Sequence, residues 1–335
     1  MASYGALWTL SVAPAPDRNA WPILSFQILE LPPTDAGRES LAEVQAALAQ
    51  WRFELDGAEG RGSAADMAIP SVFVPRLPRG LAELADGPER KSLFVRIVLP
   101  LVLRVNEDIA ADRARLRAIA ARAKDGGAIP RDDAAWLAAL GARYRVELAN
   151  AEKPDAMTLS GLLRRVDGLP VALALGQAAI ESGWGGSRFA AEGNALFGMW
   201  TWDPSEGMVP RERLPGKTHL VRRFDTLLAG VRAYMHNLNT HPAYAELRAR
   251  RQQQRQALAA QGAWRSAEAP LHAASLAAAL GAYSEKRAEY VTALKGLIAA
   301  NDLHRFEVAR LIPAVPVRAP ARPSLACVDT RLPGC

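Results

Sequence analysis

The sequence contains almost no cysteine and no long apolar run, and both absences exclude whole classes of protein. Its only two cysteines among 335 residues, Cys327 and Cys335, lie within the last nine residues. The core therefore uses neither a disulfide nor a cysteine-ligated metal, although the pair can close one small loop or stay reduced. No run of ~18 apolar residues occurs, so the sequence predicts no transmembrane helix.

Motifs for metals and nucleic acids are also missing. His219, His236 and His241 lack the spacing of a metal site, because the last two do not share a helical face and Pro242 follows at once. We therefore predict no metal and no cofactor. No zinc-finger spacing, RNP-like aromatic run or dense Lys/Arg stripe appears, which argues against nucleic acid as the partner.

The charge of the chain is mildly basic. Its net charge is +6 and its sequence pI about 9.6, which suits an anionic polymer such as a membrane face or bacterial cell wall. The alternative interpretation is an ordinary product of an Arg- and Ala-rich proteome. Residues 4–15 are apolar but short, proline-broken and without Lys or Arg, so they make a poor signal peptide. Either the true start lies upstream or export follows another route.

Composition divides the chain into three parts. Residues 1–68 form a weakly specified extension and linker, with one helix predicted over 37–53 from the spacing of Leu41, Val44, Leu48 and Trp51. The main body runs over 69–306, and the Pro- and Ala-rich tail 307–335 is predicted to be disordered. The body starts with an extended segment at 69–75. A helix at 89–123, which Pro100 should kink or split, and a helix at 131–143 follow.

The most informative helix begins at Pro170 and consists of small residues up to Glu181. Alanines and Gly176 allow neighbouring helices to approach closely, so we predict a central, buried helix that ends at Gly183. Two β-prone stretches, 197–202 and 219–224, predict a small hairpin lobe. A helix capped by Asp225 or Thr226 and further helices around 242–259, 267–282 and 285–300 complete the body.

Glu181 is the candidate catalytic residue. Burial beside Trp184 would raise the pKa of its carboxyl and keep it protonated, as a general acid near neutral pH requires. The glycines that follow would let an extended ligand approach the backbone. Taken alone, a glutamate at a helix end more commonly just faces solvent.

Several separated blocks occur in the order found in a known family. They are Ala174-Leu-Gly-Gln-Ala-Ala-Ile-Glu-Ser-Gly-Trp-Gly185, Ser187-Arg-Phe189, Asn194-Ala-Leu-Phe-Gly198, Tyr234-Met-His-Asn-Leu-Asn239, His241-Pro-Ala-Tyr244 and Tyr283-Ser-Glu-Lys-Arg-Ala-Glu-Tyr290. With the stretches at 69–73 and 89–94, they resemble the bacterial glucosaminidase domain of glycoside hydrolase family 73, in its Bax-related branch. The resemblance spans roughly 69–302.

The resemblance implies a mainly α, lysozyme-like helical domain with a small β lobe, its catalytic core at about 158–302. It implies a periplasmic or cell-envelope protein whose partner is the glycan strand of peptidoglycan. The expected activity is cleavage of β-1,4 bonds by an endo-β-N-acetylglucosaminidase. A lytic transglycosylase, or a non-catalytic peptidoglycan-binding or scaffolding protein, is the alternative.

The resemblance also assigns roles to individual residues. Glu181 takes the general-acid position, and Tyr283 takes the position of an active-site tyrosine. The alternative for Tyr283 is a packed core residue. Tyr290 is interpreted as packing. Leu220 stands where the Bax-related pattern has Glu, which leaves Glu212 and then Glu206 as candidates for the second carboxylate. If neither serves, the acetamido group or 6-hydroxyl of the substrate completes the reaction.

Aromatic residues near the acid are candidates for binding sugars, whose C–H faces are apolar. They are Trp184, Phe197, Trp200 and Trp202. The alternative is that Phe197 and at least one tryptophan fill the core of the lobe. Asn194 either holds the turn before Phe197 or contacts an N-acetyl group.

Overall fold

The fold is described from a computed structural model that covers residues 29–30, 40–50, 67–211, 218–260, 271–284 and 287–312. Its helices are α1 (Leu41–Gln50), α2 (Pro88–Lys124), α3 (Arg131–Tyr144), α4 (Ala156–Arg165), α5 (Val171–Ser182), α6 (Arg188–Gly193), α7 (Leu227–Thr240), α8 (Ala245–Ala260), α9 (Ala273–Ala277) and α10 (Arg287–Ala300). Its strands are β1 (Leu29–Glu30), β2 (Ala68–Pro70), β3 (Val72–Phe73), β4 (Trp200–Thr201), β5 (Gly207–Met208), β6 (Leu220–Arg222) and β7 (Arg310–Ile312). The predicted fold class, a mainly α-helical domain with a small β lobe, is confirmed.

The long helix α2 is the support on which the other helices pack. It contacts α4, α5 and α7, and its residues from Leu93 to Leu103 are almost all buried. The helix continues through Pro100, so the predicted split does not occur. Among the helices of the described ranges, none combines the length and apolar character that a membrane crossing requires.

Helix α5 lies at the centre of the domain, as its small residues predict. Every residue from Val171 to Ala179 is buried. Gly176 faces α10, where an added Cβ would lie only 2.7 Å from Cγ1 of Ile298. The absence of a side chain therefore allows α10 to lie directly on α5. The helix ends at Gly183, which adopts the left-handed conformation (φ 58°) that glycine favours.

Residues 307–312 are part of this body, so the predicted disorder is wrong for the first residues of the tail. The carboxylate of Glu307 accepts hydrogen bonds from the backbone N–H groups of Val171 and Ala172, both at 3.0 Å. It thereby caps the N-terminus of α5, whose first amides have no partner within the helix. Strand β7 then pairs in parallel with β2. The rest of the tail, 313–335, lies outside the described residues.

Part of the N-terminal extension also packs on the body. Helix α1 confirms the helix predicted over 37–53, and its Val44 and Leu48 are fully buried in the main hydrophobic core. Strand β1 pairs in parallel with β3. The chain before residue 68 therefore contributes to the same core as the body, although the linker predicted at 56–66 lies outside the described residues.

The β lobe has one strand more than the predicted hairpin. Strands β4 and β6 fall within the two β-prone stretches, and β5 joins them in an antiparallel sheet of order β4-β6-β5. Helices α4 and α6 were not predicted from the sequence. In the described part of the helix predicted over 267–282, the structure has α9 and a 3₁₀ turn at Gly281–Tyr283.

Candidate active site

Glu181 is the penultimate residue of α5 and lies where that buried helix reaches the surface. The residue as a whole is partly exposed, while burial of its carboxyl raises the pKa of that group to about 8. A hydrogen bond from Tyr290 opposes this shift, because it stabilises the charged form. The carboxyl is therefore protonated at neutral pH and remains within reach of a ligand.

A tight turn follows Glu181 and fixes the end of its helix. The hydroxyl of Ser182 donates to Ala178 (2.6 Å) and accepts from the N–H of Gly185 (2.8 Å). Trp184 and Gly185 have φ values of 55° and 78°, so the turn continues in the left-handed region. An added Cβ on Gly185 would lie 2.9 Å from the side chain of Leu81, so glycine is required there for space as well.

Trp184 forms a wall behind the turn. Its side chain is buried and packs edge-on against Phe94, with ring centroids 5.7 Å apart, while the ammonium group of Lys91 lies 5.3 Å from its ring. Trp184 is only 7% exposed, so its ring is not open to solvent for a sugar to stack on. Its surroundings are those of a structural residue that supports the acid.

Four tyrosines surround Glu181. Burial is the main cause that holds the pKa of each tyrosine hydroxyl far above its usual range, and the negative charge of Glu181 raises each of these pKa values further. They are Tyr234, Tyr244, Tyr283 and Tyr290. The ring of Tyr283 stacks on that of Tyr290 at 5.6 Å and tilts against that of Tyr244 at 6.0 Å. The acid therefore lies among neutral phenols rather than among charged groups.

Tyr283 is brought to the site, and its hydroxyl points to the backbone. It donates to the carbonyl oxygen of Phe197 at 3.1 Å. The next residue, Gly198, adopts φ 58°, and an added Cβ there would lie 3.7 Å from Oε2 of Glu181. Tyr283 therefore holds the loop that borders the carboxyl.

Tyr290 contacts the acid directly, so its interpretation as packing alone is wrong. Its hydroxyl bonds to Glu181 and also accepts from Nε2 of Gln177 at 2.9 Å. Oε1 of Gln177 in turn accepts from the hydroxyl of Tyr234 at 2.6 Å. The signal in the sequence was Gln177 itself, a polar residue one turn before Glu181 in an otherwise small and apolar helix.

The loop before Gly198 is fixed by packing and by hydrogen bonds. Asn194 is buried, adopts φ 54°, and donates from Nδ2 to the carbonyl oxygens of Phe224 (2.8 Å) and Asp225 (3.2 Å). Phe197 is buried as well and stacks on Tyr234 with ring centroids 3.8 Å apart. Of the two predicted roles of Asn194, the observed contacts are those of a residue that holds the turn.

The two lobe tryptophans differ in exposure. Trp200 is buried and stacks on His219 with ring centroids 3.8 Å apart, whereas Trp202 is 46% exposed and meets Trp200 edge-on at 6.4 Å. Among the four aromatic residues predicted to bind sugar, Trp202 is thus the one with a face open to solvent.

The acidic side chains of the lobe are engaged where the structure describes them. Glu206 pairs with Arg222 at 3.0 Å, and Asp203 accepts from the N–H and hydroxyl of Ser205 at 2.8 and 2.7 Å. The cap of α7 is Thr226, whose hydroxyl accepts from the N–H of Ala229 at 3.1 Å, so Asp225 is not the capping residue. Glu212 lies outside the described residues.

Two further features lie away from this site. Within the described ranges, no group of three or more His, Cys, Asp or Glu side chains is arranged to hold a metal. A cavity of about 900 Å³ opens beside Val171 and Glu307. It lies at the opposite end of α5 from Glu181, roughly 15 Å away along the helix. We therefore place the candidate active site at Glu181 and not at this cavity.

Comparison with known proteins finds a family match over the part of the chain that contains Glu181. Residues 162–303 match the glucosaminidase family described as "Mannosyl-glycoprotein endo-beta-N-acetylglucosaminidase". The chain is 36% identical over 179 residues to Protein bax of Escherichia coli (strain K12), an alignment that covers 53% of this chain and 61% of that relative. No solved structure gives a significant match. Residues 162–303, which hold Glu181, its tyrosines and the β lobe, therefore match the glucosaminidase family model, in a chain that is similar to Protein bax and spans less than two thirds of its length.

Proposed function

We propose that this protein is a peptidoglycan glycosidase of the cell envelope that cleaves β-1,4 bonds of the glycan strand, with Glu181 as the general acid. The most specific form of the proposal is an endo-β-N-acetylglucosaminidase. The glucosaminidase-family domain supports a glycosidase-type enzyme, and the net charge of +6 suits an anionic cell-wall polymer.

The observation that carries the proposal is the state of the Glu181 carboxyl. A glycosidase acid must be protonated at working pH and must reach the oxygen of the leaving sugar. Burial raises the pKa of the Glu181 carboxyl to about 8, and the residue as a whole is partly exposed. In the proposed reaction, this proton passes to the glycosidic oxygen as the bond to the sugar breaks.

The second half of the reaction depends on a group that opposes Glu181. Within the described residues, no charged side chain contributes to the pKa shift of Glu181, so no second carboxylate couples to it there. Glu206 is paired with Arg222, and Glu212 remains a candidate base by sequence alone. We favour completion by the substrate itself, through its acetamido group or its 6-hydroxyl. The 6-hydroxyl route would make the enzyme a lytic transglycosylase.

Two further residues fit supporting roles in this proposal. Trp202 offers its exposed ring to the apolar face of a sugar, because it lies on the lobe next to Trp200. Tyr283 positions the loop at Phe197 and thereby one border of the acid. Trp184, Phe197 and Trp200 are buried, so we assign them to the support of the site.

Mass spectrometry of fragments released from purified peptidoglycan tests the proposal. We expect wild type to release fragments with N-acetylglucosamine at the reducing end, and Glu181→Gln to retain less than about a tenth of this activity. Glu152→Gln, at an exposed position, is the matched control. An anhydro end would instead identify the 6-hydroxyl route, and N-acetylmuramic acid at the reducing end a muramidase. Binding without any cleavage by wild type would indicate the scaffolding alternative and refute the proposal.

A further inference from the structure

We propose that Gln177 and Tyr290 position the carboxyl of Glu181 for catalysis, through a hydrogen-bond chain that starts at the hydroxyl of Tyr234 and ends at the acid. Both are positioning residues, since they act on the substrate only through Glu181. The inference rests on the proposed function in one respect, the role of Glu181 as the acid.

The direction of the hydrogen-bond chain follows from which groups donate and which accept along it. Tyr234 donates to Oε1 of Gln177 (2.6 Å), and Nε2 of Gln177 donates to the hydroxyl oxygen of Tyr290 (2.9 Å). A tyrosine hydroxyl has one proton to donate. Since the oxygen of Tyr290 accepts from Gln177, its own proton is directed to Glu181, with which it forms a hydrogen bond.

Burial makes this arrangement specific. Gln177 is fully buried, Tyr234 is 1% exposed and Tyr290 9%. Buried polar groups that lose their partner are costly, so each member fixes the orientation of the next. An amide that accepts at one end and donates at the other polarises Tyr290 and strengthens the bond that this residue donates.

The sequence brings the members together in two ways. Gln177 and Glu181 are one turn apart on α5, so they share a face of that helix. Tyr290 lies on α10, which approaches α5 closely because Gly176 has no side chain where Ile298 packs. A larger residue at position 176 would push α10, and Tyr290 with it, away from the acid.

The hydrogen-bond chain assists the proposed reaction because the charge of Glu181 changes during it. When the acid gives its proton to the glycosidic oxygen, a carboxylate is left in a site where burial disfavours charge. The O–H of Tyr290 stabilises that anion and lies in place before the step begins. No proton leaves Tyr290, since only the O–H bond of Glu181 breaks. The same bond holds one carboxyl oxygen and so directs the other.

The experiment is a titration of Glu181 by ¹³C NMR on glutamate-labelled protein, with Glu181→Gln to assign the signal. We expect Tyr290→Phe to raise the titration midpoint by about one pH unit, because the lost bond favours the charged form. Gln177→Leu and Tyr234→Phe should raise it by successively smaller amounts. Tyr244→Phe is the control, because among the described residues the hydroxyl of Tyr244 makes no hydrogen bond.

The titration needs no activity, so it separates this inference from the proposed function. If Glu181→Gln cleaves peptidoglycan, Glu181 is not the general acid and the proposed function fails. The titration midpoints of Glu181 in the other variants still test the hydrogen-bond chain. An unchanged midpoint in Tyr290→Phe, or an equal shift in Tyr244→Phe, overturns the positioning chain. In an active enzyme, the alkaline limb of kcat/KM should move with the midpoint in each variant. A loss of activity without that movement would also overturn the inference, because a merely structural role predicts it.

Discussion

The raised pKa of Glu181 makes a quantitative prediction about stability as a function of pH. The carboxyl titrates near 4.5 when exposed and at about 8 in the folded protein. Each pH unit between the two values is worth about 1.4 kcal/mol of folding free energy. Ionisation of Glu181 should therefore destabilise the folded protein by on the order of 5 kcal/mol between pH 4 and pH 9.

The sign follows from which state holds the proton. Between pH 4.5 and pH 8, the unfolded chain releases this proton while the folded protein keeps it. Stability linked to Glu181 is thus fully present below about pH 4.5 and is lost as the pH rises through about 8. Glu181→Gln has no proton to lose, so its stability should lack this component.

Urea unfolding of wild type and Glu181→Gln at pH 5, 7 and 9, followed by tryptophan fluorescence, measures the difference. We expect similar stabilities at pH 5 and a Gln variant more stable by several kcal/mol at pH 9, with half or more of the gap present at pH 7. Glu152→Gln, at an exposed position, should follow wild type throughout. Parallel curves for wild type and Glu181→Gln would refute the raised pKa and remove the main support for a protonated acid.

Three further substitutions test the surroundings of the acid. Tyr283→Phe should lower kcat more than it changes KM in cleavage assays, since its bond to the carbonyl of Phe197 positions the site rather than the ligand. Glu307→Ala should lower the free energy of unfolding by about 2 kcal/mol in urea titrations, because two buried amides of α5 lose their acceptor. Gly176→Ala should cost about 1–3 kcal/mol in the same assay and reduce activity, because its methyl group meets Ile298.

Helix periodicity and small residues predicted much of the framework. The composition of α5 correctly placed a buried helix that ends at Gly183, with Glu181 at its surface end. Of the kink or split predicted at Pro100, the split does not occur, because helix propensity is local and packing overrides it here. Residues on both sides of Pro100 are fully buried, and α2 is held together by packing against three other helices.

Helix periodicity and local composition did not predict the contacts between residues that are distant in the sequence. Gln177 and Tyr290 are 113 positions apart, so no local spacing shows that they meet. Glu307 caps α5 from 136 positions away in a stretch whose composition suggested disorder. The tryptophans illustrate the same limit, because Trp200 and Trp202 both lie close to Glu181 in the sequence and their spacing does not show which one is exposed.

Whether a second carboxylate acts in the cleavage reaction depends on the acidic residues of the β lobe. Glu206 is the described residue on which this can be tested. Its carboxylate pairs with Arg222, itself buried, at 3.0 Å. Leu220, which follows His219 in the lobe, is buried too and packs where Gly207 leaves room.

The lobe therefore uses these positions for its own packing, and we expect Glu206→Gln to cleave peptidoglycan within about threefold of wild type. A catalytic base would be worth ~10²–10⁴ in rate. Fragment release by Glu206→Gln, Glu212→Gln and Glu181→Gln, compared at equal protein concentration, measures the difference. If Glu206→Gln were as inactive as Glu181→Gln, the carboxylate would have to leave Arg222 during the reaction, and a substrate-assisted mechanism would be untenable.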